Sequence, residues 1–446
     1  MKVKITVLLL LFSVVISTAQ QRKWTLEECV IYAVDNNLTI EQFELDLENA
    51  QIDQSDALGN FLPNLNGQIS GSASTGLSFD PTNNEPVTTT IFSSSGSFTS
   101  SVTLFDGLRN IHQLNRAKLN AISNQYRLDD LKDDIRLMVA NAYLNVLSNK
   151  ESLKVFKAQY AVTEQDLNKT KELVESGVVP RGDLLEIEAT AANQEQQIVN
   201  GENAVLISRI NLAQLLQITD YDNFDIADEV FNIPPSDILD NSAKVIFDKA
   251  LTFRNDIKLS QSQVELALKD LEITKGALYP TLGAFFNYNT RYSDQNFDPV
   301  TGDVIGFKDQ LWINDGISYG AQLNIPVFNG FSTRNNIKRS RINVEKSKLQ
   351  FEQDKLDLET NINQAYVDVK SFSKAYEAAE KTLEARRLAY QYSKERFDVG
   401  LMNSFDFSQA QARVDNAEAE VIRSKYNYIF RLKVLEFYFG LPIVLN

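Results

Sequence analysis

Residues 64–79 read Asn-Leu-Asn-Gly-Gln-Ile-Ser-Gly-Ser-Ala-Ser-Thr-Gly-Leu-Ser-Phe, and their alternation decides the fold. Odd positions carry Leu65, Gly67, Ile69, Gly71, Ala73, Thr75, Leu77 and Phe79; even positions carry Asn64, Asn66, Gln68, Ser70, Ser72, Ser74, Gly76 and Ser78. Successive side chains of a strand point to opposite faces. One face is therefore apolar or small, and the other is wholly small and polar. Residues 92–104 repeat the pattern with Phe92, Phe98, Val102 and Leu104 on one face and mostly Ser and Thr on the other. Residues 282–292 place Leu282, Ala284, Phe286, Tyr288 and Tyr292 on one face. Residues 317–327 set Ile317, Tyr319, Ala321, Leu323, Ile325 and Val327 against Ser318, Gly320, Gln322 and Asn324. Four strands of about ten or more residues, apolar on one side and polar on the other, are the pattern of a transmembrane barrel. A soluble sandwich also alternates, but its solvated face normally carries Lys and Glu. The connections 80–90 and 293–313 are long and polar, as suits an outer rim, and include Asp80-Pro81, Asp298-Pro299 and Thr301-Gly302-Asp303. Phe79, Phe92, Tyr288, Tyr292 and Trp312 are candidates for aromatic girdles at the membrane interfaces.

The flanks of these strands recur. A shift of 223 places Phe105-Asp106-Gly107 on Phe328-Asn329-Gly330, Ala142-Tyr143 on Ala365-Tyr366, Gly177 on Gly400, Asp183 on Asp406 and Ala189 on Ala412, without a gap. Upstream, a shift of 217 places Ala33 on Ala250, Gly59 on Gly276 and Pro63 on Pro280. The chain is one unit written twice, and two copies are too few for a solenoid array. Each copy predicts a helix of about 30 residues ending near its proline, which disfavours helix in the residue before it. Two strands follow, then a helix of about 70 residues. Asp106 and Asn329 are natural caps for that helix. Its heptad seam reads Ile362, Ala365, Val369, Phe372, Tyr376, Ala379 and Leu383 in the second copy and Leu128, Leu131, Ile135, Met138 and Ala142 in the first, the spacing of coiled-coil packing. At about 1.5 Å per residue such a helix spans roughly 100 Å, the scale of a structure crossing a wide compartment. The chain then turns at Gly177 and Gly400, and a return helix of about 35 residues follows.

The domain reading follows: a signal peptide at 1–19, a first repeat at 20–216, a linker or small packing element at 217–243, and a second repeat at 244–446. Strands are expected at about 64–79, 91–105, 281–292 and 315–328, and hairpin tips at 177–182 and 400–405. The leader has Lys2 and Lys4, an apolar run at 7–16 and Ser17-Thr18-Ala19 for cleavage. No later stretch reaches the roughly 18 apolar residues of a membrane helix. A membrane location therefore requires a closed barrel. The formal charge is −15, and removing Lys2 and Lys4 takes it to −17, which argues against nucleic acid as a partner. One Cys, one His and three Met leave little for a soft-metal site or a His-based triad, so no cofactor, metal or enzymatic activity is expected.

Two copies of helix, strand, strand, long helix, tight turn and helix behind a signal peptide resemble the TolC-like outer-membrane efflux protein family, the outer membrane factors. The resemblance covers residues 20–446. It rests on the Pro63/Pro280 and Phe-[Asp/Asn]-Gly junctions and on two turns. These turns are Ser176-Gly177-Val178-Val179-Pro180-Arg181-Gly182-Asp183-Leu184-Leu185 and Val399-Gly400-Leu401-Met402-Asn403-Ser404-Phe405-Asp406-Phe407. It implies an α+β membrane protein, a homotrimer whose three subunits close one 12-stranded transmembrane β-barrel and continue as a long periplasmic α-helical barrel. It also implies a location in the outer membrane of a Gram-negative bacterium, surrounded by outer-membrane lipid. The implied task is that of the channel in a tripartite efflux or type I secretion system. Its implied partners are a periplasmic adaptor and, through it, an inner-membrane RND or ABC pump. From the residues alone, four strands cannot close a barrel, and either a dimer or a trimer would close one.

By position, the resemblance assigns adaptor contact to Gly177, Val178, Val179, Gly400, Leu401 and Met402. Helix-ending glycines need no partner, but exposed Val, Leu and Met at a tip suit a contact surface. It assigns the periplasmic aperture to Asp183, Glu186 and Asp406; acids at a helix start also serve the helix dipole. The family's latch tyrosine and arginine are replaced here by Phe397 and Met402, so the same latch is not expected. A periplasm-spanning structural or adhesive protein without transport is the alternative class.

Overall fold

The computed structural model describes residues 23–79, 86–228, 233 and 236–442. The expected signal peptide, the Asp80-Pro81 connection and Pro234-Pro235 lie outside the described residues, as does the side chain of Phe79. In chain order the elements are β1 (Lys23–Trp24), α1 (Leu26–Asn36), α2 (Leu38–Gly59), β2 (Asn64–Phe79), β3 (Pro86–Phe105), α3 (Arg109–Glu175) and α4 (Arg181–Leu215). Then come β4 (Asp225–Ile226), α5 (Ala243–Phe253), α6 (Asn255–Gly276), β5 (Thr281–Ser293), α7 (Phe307–Ile313), β6 (Gly316–Asn324), α8 (Ser332–Asp398) and α9 (Ser404–Tyr438). The long helices α3 and α8 both have 67 residues and the return helices α4 and α9 both have 35. Their starts and ends differ by the same 223 positions found in the sequence.

The chain divides into two compact units. One contains the segment up to Leu45, Tyr126–Lys258 and the chain from Glu352. Here the hairpin α3/α4 packs beside the hairpin α8/α9. Ile135, Val139 and Val146 on α3 are buried, as are their counterparts Leu358, Ile362 and Val369 on α8. The expected α3 seam through Met138 fails, because Met138 is 54% exposed. Several apolar positions of α3 are adjacent, so more than one heptad frame fits the sequence. The second copy, with fewer apolar residues, shows the frame that is buried. A small element completes the unit: β1 pairs with β4 in parallel, and Phe224, Ile226 and Ile238 are buried. The expected single helix of about 30 residues is instead two, of 11 and 22 residues, in each copy. In the first copy Asn37 makes the break. Its main-chain N–H closes α1 on Ala33, and its side-chain oxygen accepts from Thr39 N at 2.9 Å to open α2.

The other unit contains Asp46–Gln125 and Leu259–Phe351. Its centre is a four-stranded antiparallel sheet of order β2-β3-β5-β6. Three expectations need correction here. β3 begins at Pro86 rather than 91, five residues earlier, because the pairing with β2 extends to Phe79. β6 ends at Asn324 rather than 328: its partner β5 begins at Thr281 after Pro280, and Pro326 has no N–H to give. Trp312 lies on no strand; it belongs to α7, within the connection expected to be a plain outer loop. At the foot of β3, Gly107 and Leu108 both have positive φ (74° and 66°), and Gly330 and Phe331 repeat this with 62° and 65°. Two successive left-handed residues turn the chain from strand to long helix in both copies.

Candidate functional site

No group of three or more possible metal-ligating side chains occurs among the described residues, and none of their helices is long and apolar enough to cross a membrane. The features that can do work are the two faces of the sheet and the two hairpin tips.

On the sheet, strand register sorts the side chains as the sequence does. Asn64, Ser70 and Ser72 of β2 face Ser101, Ser95 and Ser93 of β3. Their side chains hydrogen-bond across the strands: Ser70 with Ser95 at 2.8 Å, Ser72 with Ser93 at 3.0 Å, and Ser101 donating to Asn64 at 3.1 Å. Thr99 continues the row to Asn287 of β5 at 3.0 Å. Each such bond contributes about 1 kcal/mol or less where water competes. More important, the face offers mostly short donors and acceptors, with Gln68, Ile91, Phe285, Arg291 and Gln322 as its longer side chains. Phe285 lies over Gly320, within 3.1 Å of where a Cβ there would stand. The opposite face carries Leu65, Ile69, Phe92, Phe98, Phe286, Ile317, Tyr319 and Leu323, all exposed in the single chain. Ile69 is 91% exposed and Tyr319 79%. A continuous exposed apolar sheet face of this kind marks contact with a partner or with lipid. Phe92, Tyr288 and Tyr292 stand on that face, as expected from their parity.

The tips are two copies of one turn. In the first, Val178 N donates to Leu173 O at 2.8 Å and Gly177 N to Val174 O at 3.0 Å. In the second, Leu401 N donates to Arg396 O at 2.8 Å and Gly400 N to Phe397 O at 3.0 Å. This is the Schellman pattern, which satisfies the last carbonyls of a helix and requires a left-handed residue. Gly177 and Gly400 supply it with φ of 74° and 76°. The next residues, Val178 and Leu401, are 67% and 71% exposed. Val179 and Met402 are half-buried. Three further exposed apolar side chains stand at the tips, Val399, Leu185 and Phe405, which the sequence reading placed in the turns without assigning them to contact.

The return helices start differently. Pro180 caps α4 without a side-chain bond. Asn403 caps α9, its side-chain oxygen accepting from Asp406 N at 2.8 Å. Asp406 is exposed, and its carboxylate accepts from Asn403 Nδ2 at 2.9 Å. Asp183 and Glu186 are half-buried. Asp183 accepts from the buried Ser404 hydroxyl, which ties the two hairpins together next to the tips. Further along, Lys394 reaches Asp166 at 3.1 Å, Gln411 donates to Thr163 at 2.7 Å and Gln194 donates to Asp415 at 2.9 Å. Phe397 stacks on Phe407 with centroids 4.4 Å apart and planes 4° apart. Tyr390 stacks on the other side at 5.6 Å, its hydroxyl pushed above its ordinary range chiefly by burial. The seven-residue spacing of Tyr390 and Phe397 was a signal for this stack.

The chain thus carries two long helical hairpins and a four-stranded sheet that is polar on one face and apolar on the other. The sequence matches the Outer membrane efflux protein family over residues 33–216 and 246–441, and the chain belongs to that family. Among characterised relatives, it is 20% identical over 306 residues to the probable efflux pump outer membrane protein TtgC of Pseudomonas putida, covering 65% of this chain and 57% of that one. It is 20% identical over 302 residues to the outer membrane protein TolC of Vibrio cholerae, covering 67% and 66%. These alignments thus span less than two thirds of the relatives' own length. The fold is similar to the crystal structure of the Campylobacter jejuni CmeC outer membrane channel, with a TM-score of 0.80 at 18% identity, covering 93% of this chain and 85% of that one.

Proposed function

We propose that this protein is the outer-membrane channel of a tripartite efflux or type I secretion system. Three copies would close their sheets into one 12-stranded barrel, and their helical hairpins would form the periplasmic conduit. The observation that carries this is the sheet itself: a hydroxyl-rich polar face opposite an exposed apolar one, with the edge strands β2 and β6 unpaired among the described residues. Unpaired edges demand closure. Eight strands from two copies would make a barrel normally filled by its side chains, whereas this face is mostly Ser, Thr, Asn and Gly, with few larger side chains to fill one. Twelve strands leave room for water. The apolar face then meets outer-membrane lipid.

In this reading the chain performs no reaction and holds no cofactor. Val178, Val179, Leu401 and Met402, displayed by Gly177 and Gly400, dock a periplasmic adaptor coupled to an inner-membrane RND or ABC pump. Asp183, Glu186 and Asp406 line the aperture. The apolar stack of Tyr390, Phe397 and Phe407, with the Ser404–Asp183 bond, holds the two hairpins together near their tips. Reconstitution into a planar bilayer tests the reading: discrete conductance steps support it, and inserted protein that conducts nothing overturns it.

A further inference from the structure

The connection between β5 and β6 is a folded platform with its own polar anchor. Gln310 on α7 is fully buried. Its amide donates to Ser293 O at 2.8 Å and Ile305 O at 2.7 Å. Its oxygen accepts from Ser293 N at 2.9 Å and Asn296 Nδ2 at 3.2 Å. All four hydrogen-bonding capacities of that side chain are used. Thr290 Oγ1 donates to Leu311 O at 2.7 Å, and Asn314 Nδ2 donates to Arg291 O at 2.9 Å. The segment is therefore fixed to the end of β5 at both of its ends.

Which face it is fixed to follows from parity. Tyr292 packs edge-on against Phe307 of α7 with centroids 5.1 Å apart. Tyr292, Thr290 and Tyr288 belong to the apolar face, as do Gly96 and Phe98 opposite them. Between α7 and that face lies a cleft of about 530 Å³, lined by Ile69, Phe98, Tyr288, Thr290, Phe307 and Leu311 among others. So α7 does not stand above the sheet as a rim loop. It lies against the sheet's apolar side, and it displays Trp312 at 76% and Ile313 at 63% exposure beyond the cleft. An exposed Trp and Ile on a short helix, continuous with an apolar sheet face, match the chemistry of an interfacial element whose Trp sits at headgroup level.

We propose that α7 is a membrane-seated element. It rests in the boundary between headgroups and acyl chains, with Trp312 and Ile313 in lipid and an acyl chain occupying the cleft beneath it. The proposal rests on the reading above that the apolar sheet face meets lipid. The β2–β3 connection of the first copy, between Phe79 and Pro86, is shorter than the β5–β6 connection that carries α7.

The chain has two tryptophans, Trp24 and Trp312, so one substitution isolates the reporter. Trp24→Phe protein is reconstituted into phosphatidylcholine vesicles with and without dibrominated acyl chains. The expected result is blue-shifted Trp312 emission that loses most of its intensity to brominated lipid and resists aqueous iodide. Should Trp24→Phe unfold the protein, the difference between wild type and Trp312→Phe gives the same signal. A second protein, Ile69→Trp with both native tryptophans changed to Phe, reports on the sheet face itself. Quenching at position 69 without quenching at Trp312 overturns the proposal and leaves the barrel reading intact. Absence of quenching at position 69 overturns the barrel reading.

Discussion

Replacing Val178 and Leu401 together by aspartate separates a docking surface from a mere turn. Both side chains are mostly exposed, at 67% and 71%. The folded chain therefore loses little buried area, and such surface changes usually alter stability by about 0.5 kcal/mol or less. The Schellman bonds use the main-chain N–H of these residues, which aspartate keeps. In a complex the balance reverses. Burying Val or Leu contributes about 1.5–3 kcal/mol each, and a carboxylate in their place must be desolvated without a partner, which costs several kcal/mol more. Losing the apolar part alone, at about 3 kcal/mol for the pair, weakens binding roughly 100-fold. The assay has three readouts: calorimetric adaptor binding, export from cells, and thermal melting. The expected outcome is unchanged melting and assembly, binding weakened by about 100-fold or more, and lost export. Gly400→Arg should act in the same direction, with about 1–2 kcal/mol of added strain at its left-handed backbone. Wild-type binding and export by the double variant would refute the docking assignment and leave the tips as helix-ending turns.

Two further outcomes follow. Light scattering of the detergent-solubilised protein should give three chains per particle; a monomer or dimer as the only species contradicts the barrel closure argued from β2 and β6. Asp415 offers a pH test. Burial, opposed by the Gln194 hydrogen bond and aided by Glu418, pushes its carboxyl from 3.8 up to about 6. A pKa raised in the folded state means that ionisation there costs stability; the cost is absent below the ordinary value and complete above about 6. At about 1.4 kcal/mol per pKa unit, and discounted because the group is partly exposed, the cost is on the order of 1–2 kcal/mol. Asp415→Asn should therefore melt higher than wild type at about pH 8 and no higher at about pH 4; a difference independent of pH rejects this account.

The sequence revealed the period-two strands because register in a sheet with one polar face allows no slip without inverting every side chain. It revealed the tips because only glycine adopts the left-handed turn cheaply, and Gly177 and Gly400 recur at one offset. What it hid were contacts between segments far apart in the chain. Asp183 looked like a free helix-start acid, but Ser404, 221 residues away, donates to it. Trp312 looked like part of a plain outer connection, because nothing local shows that Gln310 folds this segment back on Ser293. The break at Asn37 was missed because the apolar spacing continues across it; the side-chain bond to Thr39 decides it.

If the polar face of the sheet lines a water-filled path, thiols placed on its two faces must differ in their reach to aqueous reagents during conduction. In a Cys29→Ala background, which removes the single native cysteine, Ser97→Cys places a thiol on the polar face and Ile69→Cys places one on the apolar face. Both proteins should give discrete conductance steps in a planar bilayer. A charged methanethiosulfonate reagent should reduce the steps for Ser97→Cys and leave those for Ile69→Cys unchanged. Equal insensitivity at both positions, or block at Ile69→Cys alone, would contradict the account.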